Sequence, residues 1–159
     1  MATESPYNLG VEAYKAKNYK EAAVQWSKAV AQGNVSAMNN LGYLLYYGYG
    51  TNKDLGTAID LWRVASYSGH SESQWHLGNA FETGIGIEKD LAKAYAWYRC
   101  SVESASSKLR VNEDDTEQAI LKDAQESLSK LTLKLAGKEL KRGQQLAVEY
   151  IDRYGRPAP

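Results

Sequence analysis

Several residue types are scarce in this chain, and each scarcity narrows what it can be. One cysteine in 159 residues, Cys100, excludes an internal disulfide framework and a thiolate zinc cluster, and fits a reducing compartment. Three prolines, with none between Pro6 and Pro157, leave long stretches that helices can use without interruption. Two histidines, His70 and His76, are few for imidazole chemistry. No run approaches eighteen uncharged apolar residues and the mean hydropathy is −0.53, so no membrane span and no membrane partner are expected. Nor does the N-terminal segment Met1-Ala-Thr-Glu-Ser-Pro-Tyr7 read as a secretory signal or a transit peptide. Cytoplasmic localisation is the expectation.

Charge of either sign is not in excess. Nineteen Lys and Arg balance nineteen Asp and Glu, and neither half departs from balance, which argues against a nucleic-acid partner. What is plentiful is tyrosine: twelve, beside a single phenylalanine. A ring with a polar tip suits half-exposed surfaces and interfaces.

The strongest positive signal is an internal repeat. Ala22, Ala58 and Ala94 recur at a constant interval, each followed at the fourth position by a large aromatic, Trp26, Trp62 or Tyr98. Leu9-Gly10, Leu41-Gly42 and Leu77-Gly78 precede them. In the second and third units the linking loop reads Gly48-x-Gly50-x-x-Lys53-Asp54 and Gly84-x-Gly86-x-x-Lys89-Asp90. Glycine there ends one helix in a left-handed conformation and the aspartate caps the next. Apolar residues step by three and four, as in Ala58, Leu61, Trp62 and Ala65, so each unit reads as helix, turn, helix.

Gly10, Gly42 and Gly78 fall inside helices, where each costs about 1 kcal/mol relative to alanine, and close helix contact is the expected reason. Start signals are Ser5 before Pro6, Asn34 after Gly33, Ser71-x-x-Gln74 and Asp115-Thr-Glu-Gln118, the last two resembling capping boxes. The period is lost after Ala105. Residues 106–114 read as a polar connector, and 115–154 as a helical pair, divided near Gly137, that caps the array.

These residues resemble the SEL-one-like repeat (SLR), a relative of the tetratricopeptide repeat. Leu41-Gly42-x-x-Leu45-x-x-Gly48-x-Gly50 through Asp54, Ala58, Leu61-Trp62 and Ala65 follow its pattern, as do Leu77-Gly78 through Gly84, Gly86, Asp90, Ala94 and Trp97-Tyr98. The first unit, with Asn18-Tyr19-x-Glu21-Ala22, looks more like an ordinary tetratricopeptide unit. The resemblance implies an all-α fold: an alpha-alpha superhelix of antiparallel helix pairs, one domain over 1–159 with units at 5–34, 36–69 and 72–105. It also implies a non-enzymatic adaptor, scaffold or regulator of a bacterium, binding a peptide or protein in its concave face with no cofactor. The family's register points to Tyr7, Val11, Tyr14 and Lys15 in the first unit. In the second it points to Asn39, Tyr43, Tyr46 and Tyr47, and in the third to Trp75, Asn79, Glu82 and Thr83. A variant of this reading is a chaperone or immunity-type protein that blocks one effector. Trp26, Trp62 and Trp97, at repeat positions, are expected in the core.

Other chemistry finds little support. His70 and His76 straddle a helix start instead of sharing a face, so no metal site is expected, and Cys100 reads as a structural thiol. A hydrolase using His76 with Glu82 is the remote alternative, with no catalytic residue otherwise apparent. Lys130, Lys134, Lys138, Lys141 and Arg142 form a basic cluster that reads as a solvated face. A weak homodimer through the first helix is a further possibility, since Tyr7, Leu9 and Val11 have no helix before them.

Overall fold

The structure, a computed structural model, describes residues 4–155. These residues form eight α-helices and no strand. The helices are α1 (Pro6–Lys15), α2 (Tyr19–Ala31), α3 (Val35–Tyr47), α4 (Leu55–Tyr67), α5 (Ser71–Thr83), α6 (Leu91–Leu109), α7 (Asp115–Thr132) and α8 (Gly137–Tyr154). The fold class is the all-helical one expected. The chain divides into two compact units, Met1–Ala65 and Ser66–Pro159, so α4 ends just inside the second.

Caps place the helix starts. Ser5 accepts from Asn8 N–H at 3.2 Å, Asn18 from Glu21 N–H at 3.2 Å and Asn34 from Ala37 N–H at 2.8 Å. Asp54 and Asp90 do the same for Thr57 and Lys93, both at 3.0 Å. Gly48 and Gly84 close α3 and α5 in the left-handed region, at φ 75° and 73°.

Two caps differ from expectation. His70, not Ser71, caps α5, its Nδ1 accepting Ser73 N–H at 3.3 Å; Ser71 and Gln74 are instead inside the helix and fully buried. The α7 cap is Asp114, one residue earlier than Asp115, and it accepts from both Thr116 and Glu117 N–H.

Unit 1 is built around Ala22, Trp26 and Ala29 of α2 and Ala37, Leu41 and Leu44 of α3, with Tyr7 and Val11 of α1 and Leu61 of α4 packed against them. The buried glycines explain themselves here. A Cβ on Gly10 would collide with the Trp26 indole, and one on Gly42 would come to 2.6 Å of Trp62 Nε1. Each indole donates to the helix it lies on, Trp26 to the Tyr7 carbonyl at 3.3 Å and Trp62 to that of Asn39 at 3.1 Å. Burying a tryptophan contributes roughly 4–6 kcal/mol by area, which outweighs about 1 kcal/mol for a helical glycine.

Unit 2 is organised by α6. Ala94, Tyr95 and Tyr98 of that helix share a core with Leu131 and Leu135, with Ala147 of α8 and with the half-buried Trp75 and Phe81 of α5. Gly78 repeats the close approach, a Cβ there meeting Tyr98 Cδ1 at 2.5 Å. Trp97 is buried, as expected; of the α8 rings, Tyr154 stacks on it at 5.8 Å and Tyr150 lies tilted to it at 4.6 Å.

Helix α6 continues through Leu109, four residues into the segment read as a connector. Tertiary anchors override the weak helix preference of its serines: Ser101 Oγ donates to the Ser71 carbonyl at 2.8 Å, and Lys108 Nζ donates to Glu117 Oε1 at 2.8 Å. Between α7 and α8 the chain turns at 133–136, and Gly137, at φ 56°, opens α8.

Candidate functional site

In unit 1 five tyrosines form one surface. Tyr14 ends its ring on Tyr19 at 5.2 Å, Tyr19 reaches Tyr49 at 5.7 Å, and Tyr49 meets Tyr47 and Tyr43 at 5.7 and 5.9 Å, these last two being 4.8 Å apart. They come from the last turn of α1, the start of α2, the second half of α3 and the glycine loop after it. That loop is why they meet. Gly50, at φ 68°, presses on the backbone of Tyr19 and Lys20 so closely that no Cβ could fit. Tyr49 is thereby held beside Tyr19.

Tyr14, Tyr47 and Tyr49 remain 36%, 48% and 43% exposed. Burial, then the neighbouring phenols of Tyr14, Tyr49, Tyr47 and Tyr19, push the Tyr43 hydroxyl above its ordinary pKa, so it stays a neutral donor at physiological pH. The rings therefore offer apolar faces and neutral hydroxyls together.

The other expected residues of unit 1 lie differently. Tyr46 is buried against Trp62 at 4.9 Å. Asn39 is buried as well, its amide donating to Asn40 Oδ1 at 3.3 Å, while Tyr7 and Val11 pack on the core. Lys15 pairs with Glu12 at 2.9 Å. Tyr19 enters the sequence pattern only within the tetratricopeptide-like motif of the first unit, and Tyr49 does not enter it. The signal that could have found both was the tyrosine excess concentrated at the glycine loop.

In unit 2 the expected residues are engaged by the chain itself. Trp75 Nε1 donates to Ser127 Oγ of α7 at 3.0 Å, and its ring packs against the core that holds Leu131. Glu82 accepts from the Tyr98 hydroxyl at 2.9 Å and from Lys134 at 3.0 Å. Thr83 donates back to the Asn79 carbonyl at 2.9 Å. Arg142 grips Asp90 with two bonds, 2.9 and 2.8 Å. Burial alone would raise the Asp90 carboxyl, but the bonds from Arg142 and the Lys93 N–H bring it below the usual range. Much of the basic cluster is thus paired, Lys130 with Glu126 at 2.6 Å included.

The residues weighed for catalysis have structural surroundings. Burial, and then the charge of Lys108, lower His70 to about 4, so its ring is neutral and caps α5. His76 sits 3.8 Å from Glu72, and Glu82 is occupied as above. Burial pushes the Cys100 thiol up to about 12, far from the thiolate a nucleophile needs. Among the described residues no three His, Cys, Asp or Glu side chains are grouped to hold a metal ion. No described helix is long and apolar enough to cross a membrane.

Helix pairs with a recurring aromatic on a recurring helical glycine give the chain an all-α solenoid fold similar to that of SLR proteins. It carries two Sel1 repeats, at residues 35–70 and 71–106. Two solved structures are similar. One is a protective antigen of uropathogenic Escherichia coli strains displaying an SLR fold, 28% identical, with a TM-score of 0.80 over 94% of this chain and 30% of that one. The other is a Sel1 repeat protein of Oxalobacter formigenes, 29% identical, with a TM-score of 0.65 over 91% of this chain and 55% of that one.

Among curated proteins, sel-1 homolog 2 of rat is 42% identical and that of human 40%, each over 57 residues, 36% of this chain. This chain spans only 8% of the length of those relatives. Sel1 repeats generally mediate protein–protein interaction.

Proposed function

We propose that the chain is a non-enzymatic, cytoplasmic adaptor or regulator that holds a protein partner on the tyrosine face of unit 1. The observation that carries this reading is the chain of five rings 4.8–5.9 Å apart, three of them more than a third exposed. Tyrosines are among the residues that most often dominate interface energetics, since they bury much area at little conformational cost. A soluble chain with no such role gains nothing from concentrating them on one surface. Trp75, bonded to α7, and Glu82, bonded to Tyr98 and Lys134, are left out of the binding face in this reading. The buried Cys100, in no disulfide, agrees with a reducing compartment.

The test is affinity capture from native cytosol by the wild type and by a Tyr43→Ala/Tyr47→Ala variant of equal helicity. Proteins recovered by the wild type and lost from the variant support the reading. Equal recovery by both overturns it.

A further inference from the structure

Nearly all the aromatic side chains of this protein are of the kind that gives up an electron. Twelve tyrosines and four tryptophans stand beside one phenylalanine. Phenylalanine packs a core as well as tyrosine does. Only phenols and indoles, however, yield to one-electron oxidants, and at neutral pH a phenol gives its electron to an oxidised indole.

In unit 1 these rings form two arms that run outward from buried indoles. From Trp26 the path leads to Tyr14 at 5.6 Å, then to Tyr19 at 5.2 Å and Tyr49 at 5.7 Å. From Trp62 it leads to Tyr46 at 4.9 Å and on to Tyr47 at 5.1 Å, beside which Tyr43 lies at 4.8 Å. The arms meet where the exposed Tyr47 and Tyr49 stack at 5.7 Å. Unit 2 repeats the gradient with other rings: buried Trp97 stacks with Tyr154 at 5.8 Å, and Tyr154 with the exposed Tyr67 at 4.6 Å. Centroids this close bring ring atoms near van der Waals contact, where electrons pass readily from ring to ring.

The indole ends keep their protons. Nε1–H of Trp26 donates to the Tyr7 carbonyl and that of Trp62 to the Asn39 carbonyl, and an amide oxygen accepts a hydrogen bond but is too weak a base to remove the proton. An oxidised indole is therefore repaired by an electron. The phenol that supplies it must shed its hydroxyl proton, and water is at hand for that beside Tyr47 and Tyr49.

We propose that the tyrosines of unit 1 are a relay that drains oxidising equivalents from Trp26 and Trp62 to Tyr47 and Tyr49 at the surface. When a one-electron oxidant takes an electron from either indole, one electron passes inward along the arm. The indole is restored, the hydroxyl proton of the surface tyrosine goes to water, and a neutral phenoxyl radical is left there. A soluble one-electron reductant such as ascorbate then returns the electron, and water the proton. This role goes beyond partner binding and needs no partner.

The relay is tested by exciting the full chain with light that indole absorbs and phenol does not, with cobalt(III) hexaammine as the electron acceptor and a nitroso compound as radical trap. Peptide mapping by mass spectrometry then locates trapped radicals and permanently oxidised tryptophans. In the wild type, radicals are expected on Tyr47 and Tyr49. Two variants of wild-type helicity keep every ring but remove phenols from one arm each, Tyr14→Phe/Tyr19→Phe beside Trp26 and Tyr43→Phe/Tyr46→Phe/Tyr47→Phe beside Trp62. Each is expected to raise permanent oxidation of its own indole at least threefold, with the other indole, Trp75 and Trp97 at wild-type levels.

No rise in either variant overturns the proposal. So does a rise shared by both indoles of unit 1, which a loosened core would give, and so do radicals trapped on the wild-type indoles instead of the tyrosines. Flash absorption supplies a second readout: indolyl should give way to phenoxyl at a rate independent of chain concentration, and a rate that grows with concentration means transfer between molecules and also overturns it. If these signals appear while cytosolic capture ignores the tyrosines, the binding reading alone fails.

Discussion

The two units use one repeat register for opposite ends. In unit 2 the positions around the repeat leucine of α5 include Trp75 and Glu82, and the same chain engages both: Trp75 bonds Ser127 of α7, and Glu82 receives Tyr98 of α6 and Lys134 of the turn after α7. In unit 1 the residues after the leucines of α1 and α3 include Tyr14, Tyr43 and Tyr47, five, two and six positions on, and these rings pack on one another and on Tyr19 and Tyr49 instead. The repeat therefore specifies the helix pair and its buried aromatic, while a few side chains in the turns after the leucine decide whether that face closes internally or carries exposed rings. Fold and function part company at those few positions.

The largest way to disturb this contrast is to weaken the cover in unit 2. Leu131 of α7 is fully buried, and Leu131→Ala removes its packing and leaves a cavity, at an expected cost of about 2–5 kcal/mol. Urea unfolding measures the loss. Amide exchange should accelerate in α7 and the facing turns of α5 and α6, with the amides of α1 to α3 little changed. A cost as small as that of a surface substitution would mean that α7 is no integral part of unit 2.

Next in size is a pH effect confined to the same unit. His70 titrates at about 4 in the folded chain, against about 6.5 when unfolded. Its depressed value means that the unfolded state binds more protons between these limits, so the stability it contributes is complete above pH 6.5 and is lost as pH falls toward 4. The full difference is about 3 kcal/mol. His70→Ser keeps a capping oxygen and removes the titration. The wild type should therefore lose more stability than the variant between pH 7 and 4.5 in urea titrations. Parallel losses would show that His70 takes up its proton without cost in the folded chain.

Much of this architecture was legible in the sequence because it is local or periodic. The alanine and aromatic spacing located the helix pairs, and the glycines at 10, 42 and 78 pointed to close contacts that Trp26, Trp62 and Tyr98 make. What was not legible depends on distant partners. Ser106 to Leu109 looked like a polar linker because serine favours loops, yet Ser71 and Glu117 hold the end of α6 in place. His70 displaced Ser71 as a cap because the Ser71 hydroxyl is committed to Glu117 at 2.6 Å. The covering of Trp75 by Ser127 spans 52 positions, beyond the reach of any repeat register. Tyr49 was missed since loop residues have no period; only the contact of Gly50 with Tyr19 fixes where its ring goes.

The smallest expected effect on stability is the most informative about function. Tyr47 is 48% exposed and touches Tyr43, Tyr46 and Tyr49 only through ring edges and faces. Tyr47→Ala forfeits a few such ring pairs and little burial, so a cost of about 1 kcal/mol is expected. A core aromatic in the same helix pair, Trp62, is buried and bonded to the Asn39 carbonyl, and its removal belongs to the 3–5 kcal/mol range typical of large aromatic truncations, roughly. If Tyr47→Ala is this mild in urea yet abolishes capture of the partner, the ring is kept for binding. A cost approaching that of Trp62 would instead make the tyrosine cluster part of the core of unit 1, and would erase the distinction between an open face and a closed one.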